Sequence, residues 1–212
     1  MPGPLVAVLD YGIGNLRSAE KALRHVGADA RLTADAGLVA DADGVVLPGV
    51  GNFGACMRAL GEHGLVDAVH AAVASGRPFL AICVGLQLLY ERSEESPGVA
   101  GLGVLPGEVR WLPDSVRRPQ MQWNRLRIVR PDPALEGIGD APWMYFVHSL
   151  AVAPSPHGED DVIATCDYGG DVVAAVRRGN VLATQFHPEK SAEDGLRILS
   201  QWVGSCAGAR VP

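Results

Sequence analysis

The chain of 212 residues lacks several features, and each absence argues against a class of protein. It has no block rich in Lys and Arg, and its formal charge at pH 7 is −6, which disfavours nucleic-acid binding. No apolar run reaches the roughly 18 residues of a membrane-spanning helix. The opening segment MPGPLVAVLDYG has neither the basic start nor the cleavage site of a signal peptide. We therefore expect a cytoplasmic protein that contacts neither nucleic acid nor a membrane.

Cysteine is scarce and widely spaced. The four cysteines form no CxxC pair, so the sequence suggests neither a zinc site nor a framework of disulfides. We expect no metal and no cofactor. Cys56, on an apolar helix face, and Cys166, in a strand, are predicted to be core thiols, whereas Cys206 is expected to be partly exposed.

The chain does contain an alternation of short apolar runs and helical patterns, which is typical of βαβ units. Its composition, 48% hydrophobic and 20% charged, is that of a globular protein. We expect an α/β fold with a single domain over residues 1–212 and a mainly parallel central sheet flanked by helices. The predicted elements of the first half are strands over 4–10, 28–33, 44–49 and 77–83, a helix through Leu16, Ala19, Leu23 and Val26, and a helix over 64–76.

Beyond residue 100 the pattern changes to short strands with turn signals, so additional antiparallel strands are expected in the C-terminal half. A hairpin is predicted around residues 178–180. A final helix is predicted from Ser191, whose side chain would cap it with Asp194 three residues on. We interpret Trp111, Trp143 and Trp202 as core aromatics, and Glu94 and Glu95 as solvated loop charges.

The segment RPFLAICVGLQLLYE places Cys83 at the carboxyl end of a predicted strand, directly before a helix. In open α/β sheets, ligands bind beyond the carboxyl ends of the strands. A nucleophile there is held above the sheet, and the N–H of Val84 points at any negative charge that forms beside it. Gly85 supplies the small neighbour that a tight turn needs. Taken alone, the pattern also fits a small buried cysteine in a closely packed elbow.

The segment TQFHPEKS supplies a base and a carboxylate. Pro188 favours extended geometry at His187 and ends the strand there, so the imidazole is presented at a strand end. Glu189 lies two residues on, the spacing that returns a side chain to the same face of an extended chain. A nucleophile, a base and a carboxylate that orients the base are the parts of covalent acyl transfer. By itself, His187 could equally be a strand-end histidine bonded to the backbone.

Five ordered motifs together resemble the class I, triad-type glutamine amidotransferases. AICVGLQLL resembles the nucleophile elbow of that family, and QFHPEKS resembles its His-x-Glu segment. Within the family, LDYGIGNLRS, LPGVGNFGACM and MYFVHSL are similar to the glutaminase subunits of imidazole glycerol phosphate synthase, which act in histidine biosynthesis. The resemblance runs from about Val6 to Trp202.

The resemblance implies that Cys83, His187 and Glu189 hydrolyse glutamine to glutamate and ammonia. It implies an oxyanion hole formed by Val84 and by the PGVG loop, where glycines allow close approach or a peptide flip. By itself, that loop could be only a tight strand-to-helix connection. The implied oxyanion residues are Val84, Gly49, Val50 and Gly51. The implied glutamine contacts are Gln87, Glu91, Ser149 and Leu150. Leu150 departs from the aromatic residue that the family usually has at this position.

The resemblance also implies a partner, a cyclase subunit with a (β/α)8 barrel that uses the ammonia to make imidazole glycerol phosphate and AICAR. The implied contacts with this partner in a heterodimer are Asn15, Trp123, Asn124 and Lys190. The segment RPQMQWN departs from the family's P-H-M-G-W-N at Gln120 and Gln122. Trp123 could otherwise be a half-buried loop aromatic, and Lys190 a solvated charge.

Two alternatives stay open on the sequence. One is a glutaminase of another synthase, such as that of pyridoxal phosphate synthesis, whose third-strand motif would carry Gly-Gly-Glu-Ser in place of Gly-Val-Gly-Asn. The other is a non-catalytic regulatory module of the same fold, which would be marked by the loss of a triad residue. Cys83, His187 and Glu189 are all present, which disfavours the second alternative.

Overall fold

The computed structural model describes residues 3–14 and 16–207. Its strands are β1 (Leu5–Leu9), β2 (Asp29–Thr33), β3 (Gly44–Gly49), β4 (Phe79–Cys83), β5 (Arg92–Ser93), β6 (Gly107–Trp111), β7 (Gln120–Arg125), β8 (Arg127–Ile128), β9 (Trp143–His148), β10 (Leu150–Pro154), β11 (Val162–Asp167), β12 (Asp171–Arg178) and β13 (Val181–Thr184). Its α-helices are α1 (Leu16–His25), α2 (Ala36–Asp41), α3 (Phe53–Glu62), α4 (Leu65–Ala74), α5 (Val84–Leu88) and α6 (Ala192–Ala207), and short 3-10 helices cover Pro133–Leu135, Pro156–Asp161 and Pro188–Lys190.

An eight-stranded sheet forms the centre of the fold, in the order β2-β1-β3-β4-β13-β12-β11-β8. The first five strands in this order are parallel, and the remaining three are joined antiparallel. This arrangement confirms the predicted α/β fold, with a mainly parallel sheet and antiparallel strands from the C-terminal half. The carboxyl ends of β3, β4 and β13 lie side by side, because Gly49 pairs with Cys83 and Ile82 pairs with Thr184.

Two smaller sheets extend the molecule beside this centre. One has the order β10-β6-β5, and the other is the antiparallel ribbon β7-β9. In the ribbon, Trp123 lies opposite Tyr145, and Gln120 lies opposite His148. Because β9 ends at His148, the ribbon leads directly to residues 147–150.

The inner strands of the parallel part are buried because helices cover them, as expected for βαβ units. Every residue of β3 and β4 is buried, and Trp202 on α6 packs in the same core at 1% exposure. The predicted hairpin is also confirmed, since Arg178 pairs with Val181 across a two-residue turn. Among the described residues, no helix has both the length and the apolar character that a membrane crossing requires.

The predicted burial of Trp111 and Trp143 is wrong. Their exposed fractions are 43% and 48%, because both lie on the small sheets rather than on the central one. Each indole is instead covered on one side by a guanidinium, that of Arg118 at 5.6 Å from Trp111 and that of Arg125 at 5.0 Å from Trp143. Exposed aromatic residues on small sheets give the same sequence pattern as core aromatics.

The prediction for Cys206 is also wrong, since this thiol is only 1% exposed. Helix α6 continues to Ala207 and presses the sulfur onto β3, where a Cβ atom added to Gly44 would lie 2.5 Å from the Cys206 sulfur. Burial raises the pKa of the Cys206 thiol to about 12. Cys56 and Cys166 are buried as predicted, and all four cysteines are free thiols.

The predicted cap of the last helix is not formed. The Ser191 hydroxyl donates a hydrogen bond to the carbonyl of His187 at 2.6 Å and accepts one from the Tyr145 N–H at 3.0 Å. Ser191 is therefore committed to the chain that carries His187 and to strand β9, not to the first turn of α6.

Candidate active site

Cys83 occupies a sharp turn between β4 and α5. It is the last residue of the strand, and Val84 is the first residue of the helix. Its φ of 57° and ψ of −113° lie in a region that residues with a side chain rarely adopt. Such a backbone is the geometry of a nucleophile elbow, which exposes one side chain above the sheet.

Glycines let the elbow approach strand β3 closely. A Cβ atom added to Gly85 would lie 2.0 Å from the carbonyl oxygen of Leu47, and one added to Gly49 would lie 2.7 Å from the Gly85 nitrogen. The Tyr11 hydroxyl fixes the same region by donating to the Pro48 carbonyl at 2.6 Å. The position of Cys83 is therefore set by backbone contact between β3 and α5.

His187 and Glu189 form a buried pair next to Cys83. The Nδ1 atom of His187 lies 2.8 Å from Glu189 Oε1, and the two side chains are 3% and 6% exposed. Burial opposes the charged ring, but the neighbouring Cys83 and Glu189 side chains outweigh it and raise the pKa of His187 to about 10. The Nε2 atom of His187 is buried and has no hydrogen-bond partner in the described part of the chain. A protonated ring in this position can give its proton to a leaving group.

Cys83 and His187 line one cavity of about 250 Å³. The sequence-predicted residues around it are Val50, Gly51, Cys83, Val84, Gln87, Ser149, Leu150 and His187, and the others are Glu95, Pro119, Val147 and His148. The elbow, the loop after β3, the end of β9 and the segment after β13 thus meet at a single space.

The oxyanion candidates fall into two groups. Val84, Val50 and Gly51 line the cavity, whereas Gly49 lies behind it in contact with Gly85. Gly51 has a φ of 97°, a conformation that favours glycine. The Val50 carbonyl accepts a weak hydrogen bond from the Cys56 thiol at 3.5 Å.

Gln87 is held inside the wall of the cavity by its amide nitrogen. That nitrogen donates to the Leu150 carbonyl at 3.0 Å and to the Gln185 side-chain oxygen at 3.1 Å. Both amide hydrogens are thereby used, so the Gln87 oxygen is the group available to a ligand. Gln185, whose amide lies 3.8 Å from the Cys83 sulfur, was missed by the sequence reasoning.

Glu91 does not line the cavity, and Glu95 does. Helix α5 ends at Leu88, so Glu91 is not one helical turn beyond Gln87; it is exposed, and its carboxylate accepts from the Gly107 N–H at 3.0 Å. The Glu95 carboxylate accepts from the Phe53 N–H at 2.7 Å at the start of α3. The interpretation of Glu95 as a solvated loop charge is wrong, because the loop folds back onto α3.

His148 presents a second imidazole to the cavity. Its Nδ1 lies 2.8 Å from the Leu150 carbonyl, an acceptor, so the ring proton sits on Nδ1. Its Nε2 is buried without a hydrogen-bond partner in the described residues. Burial lowers the pKa of His148 to about 4, although the bond to Leu150 partly opposes this. The ring is therefore neutral near pH 7 and offers an acceptor.

This neutral histidine should make stability depend on pH. A ring with a pKa near 6.5 when unfolded and about 4 when folded stabilises the fold fully above pH 6.5, and this contribution is lost as the pH falls towards 4. We expect His148→Gln to be less stable than the wild type at pH 7 and to approach it at pH 4.5. Between these two pH values, the difference in free energy of unfolding between the wild type and the variant should change by at most roughly 3 kcal/mol. Urea unfolding of both proteins measures it, and a difference that is constant with pH would contradict the neutral ring.

The residues predicted to contact a partner lie around the exposed ribbon. The Trp123 ring is 45% exposed and packs edge-on against Tyr145 at 6.1 Å. The Lys190 ammonium lies 5.9 Å from the centre of the same Tyr145 ring. The Asn124 amide donates to the Asp167 carbonyl at 2.9 Å. Asn15 lies outside the described residues.

Gln120, which departs from the family's motif, belongs to the packed interior of the protein. This side chain is fully buried opposite His148, and its amide lies 3.9 Å from the Cys166 sulfur. Gln122 is exposed on the ribbon. Over the described ranges, no group of three or more His, Cys, Asp or Glu side chains is placed to hold a metal ion.

Comparison with known proteins agrees with this geometry. The family model described as "Glutamine amidotransferase class-I" matches residues 7–203. The chain belongs to the class-I glutamine amidotransferase family. Two relatives of this amidotransferase carry the name "Imidazole glycerol phosphate synthase subunit HisH". The protein from Methanothermobacter thermautotrophicus is 47% identical over 199 residues, 94% of this chain and 98% of the relative. That from Syntrophotalea carbinolica is 47% identical over 205 residues, 93% and 98% of the two chains.

Solved structures show the same amidotransferase fold. A structure described as "Crystal structure of glutamine amidotransferase" superposes with a TM-score of 0.73 at 26% identity, covering 94% of this chain and 98% of the other. A chain from the structure of PurLQS from Thermotoga maritima superposes with a TM-score of 0.75 at 19% identity, covering 95% and 98%, and supports the fold alone.

Proposed function

We propose that this amidotransferase is the glutaminase subunit of an imidazole glycerol phosphate synthase and acts in histidine biosynthesis in the cytoplasm. The observation that carries the proposal is that Cys83 and His187 line one cavity, and that Glu189 pairs with His187 beside it, in a chain of this family. The name shared by its near full-length relatives favours this synthase over that of pyridoxal phosphate. The complete triad favours turnover over a regulatory module.

The reaction begins at the elbow. The Cys83 thiolate attacks the side-chain carbonyl carbon of glutamine, and the carbonyl oxygen becomes an oxyanion. His187 then donates its Nε2 proton to the nitrogen, the carbon–nitrogen bond breaks, and ammonia leaves a thioester on Cys83. His187 next takes a proton from water, and the hydroxide attacks the thioester to release glutamate and the thiolate. Glu189 holds the Nδ1–H of the ring throughout.

The oxyanion is bound by backbone donors. Val84 is the first residue of α5 and lines the cavity, and the first N–H groups of a helix have no acceptor within it, so the Val84 N–H is suited to bind the oxyanion. A second donor comes from Val50 or Gly51, which line the cavity, while Gly49 sets the distance between this loop and the elbow. These donors act on the charge that appears during the reaction, which is where hydrogen bonds contribute most to rate.

Substrate glutamine is bound mainly through acceptors and backbone groups. The Gln87 oxygen and the Glu95 carboxylate are acceptors suited to the amino group of glutamine, and both residues line the cavity. Ser149 and Leu150 also line the cavity and contribute backbone groups. Glu91 is not included, because it lies outside the cavity.

The partner is a cyclase subunit with a (β/α)8 barrel, to which the ammonia passes directly. The exposed face of Trp123, Tyr145 and Lys190 suits a docking surface, since aromatic residues are enriched in interfaces and these lie close to His187. Asn124 and Asn15 would belong to the same heterodimer interface. Ammonia held between the two proteins avoids protonation in bulk water.

Assay of glutamine hydrolysis with and without the cyclase tests this proposal. We expect the isolated chain to hydrolyse glutamine slowly, and kcat to rise by roughly tenfold or more when the cyclase and its nucleotide ligand are added. The measurement is glutamate release under saturating glutamine, with an unrelated (β/α)8-barrel protein as the control. Full-rate hydrolysis by the isolated chain would contradict the coupling of glutamine hydrolysis to the cyclase. It would leave the assignment of glutaminase activity intact.

A further inference from the structure

The hydroxyl of Ser191 links two main chains behind the active site. Ser191 is 1% exposed. Its hydroxyl donates to the carbonyl oxygen of His187 at 2.6 Å and accepts from the N–H of Tyr145 at 3.0 Å. On the other side, the His187 N–H donates directly to the Tyr145 carbonyl at 3.0 Å. His187 and Tyr145 are thus joined twice, once directly and once through a side chain.

This arrangement resembles a pair of residues in an antiparallel sheet. Such a pair exchanges two N–H···O bonds, one in each direction. Here the bond from Tyr145 to His187 is replaced by two bonds that pass through the Ser191 hydroxyl. The inserted oxygen holds the two chains further apart on that side, so His187 is anchored to β9 at both its N–H and its carbonyl. The main chain that carries the imidazole is thereby tied to β9.

The segment that carries Ser191 is itself held rigidly. The Lys190 N–H also donates to the His187 carbonyl, at 3.0 Å. Ala192, the next residue after Ser191, has a φ of 50°, which few residues with a side chain adopt. A Cβ atom added to Gly195 would lie 2.7 Å from the Ser191 Cβ, so α6 packs directly against this turn. Ser191 is therefore held closely by the turn before it and by α6 after it.

We propose that Ser191 is a positioning residue that transmits the position of strand β9 to the base His187. The Tyr145 ring contacts Trp123 and Lys190. Strand β9, to which Ser191 is hydrogen-bonded, therefore carries part of the exposed aromatic face. A partner that moves this face moves the Tyr145 main chain, and the hydroxyl carries that movement to His187. The link to a partner rests on the proposed function, whereas the anchoring of His187 does not.

The test compares Ser191→Ala with Ser191→Thr in the whole complex. Alanine removes both bonds of the hydroxyl, and threonine keeps the hydroxyl. We expect S191A to lower the kcat of glutamine hydrolysis by roughly 10- to 100-fold, with KM within about threefold, because the base and not the glutamine pocket is displaced. Threonine should keep kcat within about threefold of the wild type. Synthesis from added ammonium should be unchanged in both.

Two further readouts separate positioning from a loss of stability. NMR titration of labelled histidine should show that the pKa of His187 falls in S191A, since the ring withdraws from Cys83 and Glu189. The stimulation of S191A by the cyclase should be smaller than that of the wild type. Ser205→Ala is the matched control, because the Ser205 hydroxyl also donates to a main-chain carbonyl at 2.6 Å, that of Trp202, but away from the site. It should behave as the wild type.

The proposal is overturned if folded S191A keeps the wild-type kcat and His187 titration, or if S191T loses as much kcat as S191A. Should S191A fail to fold, Ser191→Cys replaces it, and a wild-type kcat in that variant overturns the proposal because a thiol is a weak donor. Failure here leaves the proposed function standing, since Cys83→Ala decides that separately.

Discussion

Cys83→Ala should abolish synthesis with glutamine as the nitrogen source and leave synthesis with ammonium intact. We expect glutamine-dependent kcat to fall by at least about 10⁴-fold, the scale seen when a nucleophile is removed from a triad. Ammonium bypasses the elbow, so its rate in the complex with the cyclase should stay within about twofold. The measurement is imidazole glycerol phosphate formation with each nitrogen source in turn.

The control for this variant is Cys206→Ala. Cys206 is also a buried thiol, but it lies on α6 against Gly44 and does not line the cavity. It should retain glutamine-dependent activity. A diazo-ketone analogue of glutamine should alkylate Cys83 with loss of N₂ and leave the C83A protein unlabelled by mass spectrometry. Equal loss of the glutamine-dependent and ammonium-dependent activities in C83A would contradict the proposal that one subunit releases ammonia and the other uses it.

Gly85→Ala should damage both stability and activity. The added Cβ atom would lie 2.0 Å from the Leu47 carbonyl oxygen, and main-chain atoms cannot move aside without separating β3 from α5. We expect a loss of roughly 3 kcal/mol in the free energy of unfolding, or a fall of about 6–12 °C in melting temperature. The displaced elbow should also lower kcat/KM for glutamine by about 100-fold or more.

Gly61→Ala is the matched control for that change. Gly61 lies in helix α3, and a Cβ atom added there would meet nothing within 4 Å. The substitution should leave glutaminase activity unchanged and raise stability by up to about 1 kcal/mol, since alanine favours a helix more than glycine does. A G85A protein as stable and active as G61A would show that the elbow tolerates a wider turn than the structure describes.

The fold and the elbow could be predicted from sequence because they depend on local patterns. Buried parallel strands are continuous apolar runs, and Cys83 stands where one such run meets a helix. The pairing of His187 with Glu189 follows from their spacing and is observed at 2.8 Å. These features require only residues close together in the chain.

Features that depend on long-range packing were not predictable in this way. Glu95 faces the cavity because its loop returns to α3, and Ser191 bonds to Tyr145 on a distant strand. Trp111 and Trp143 are exposed because their strands belong to small sheets. In each case the same type of side chain is compatible with a buried position and with an exposed one. Only the three-dimensional path of the chain determines which of the two it occupies.

The sheet order has a consequence for synthesis on the ribosome. Strand β13 lies between β4 and β12, yet it is made long after β4. Until it arrives, the nascent chain presents FLAIC, a fully buried strand in the finished protein, with one side unpaired. Unpaired apolar strand edges are sites of aggregation. The same delay means that the thiol emerges well before its base, so a nascent chain without β13 has no base with which to hydrolyse glutamine.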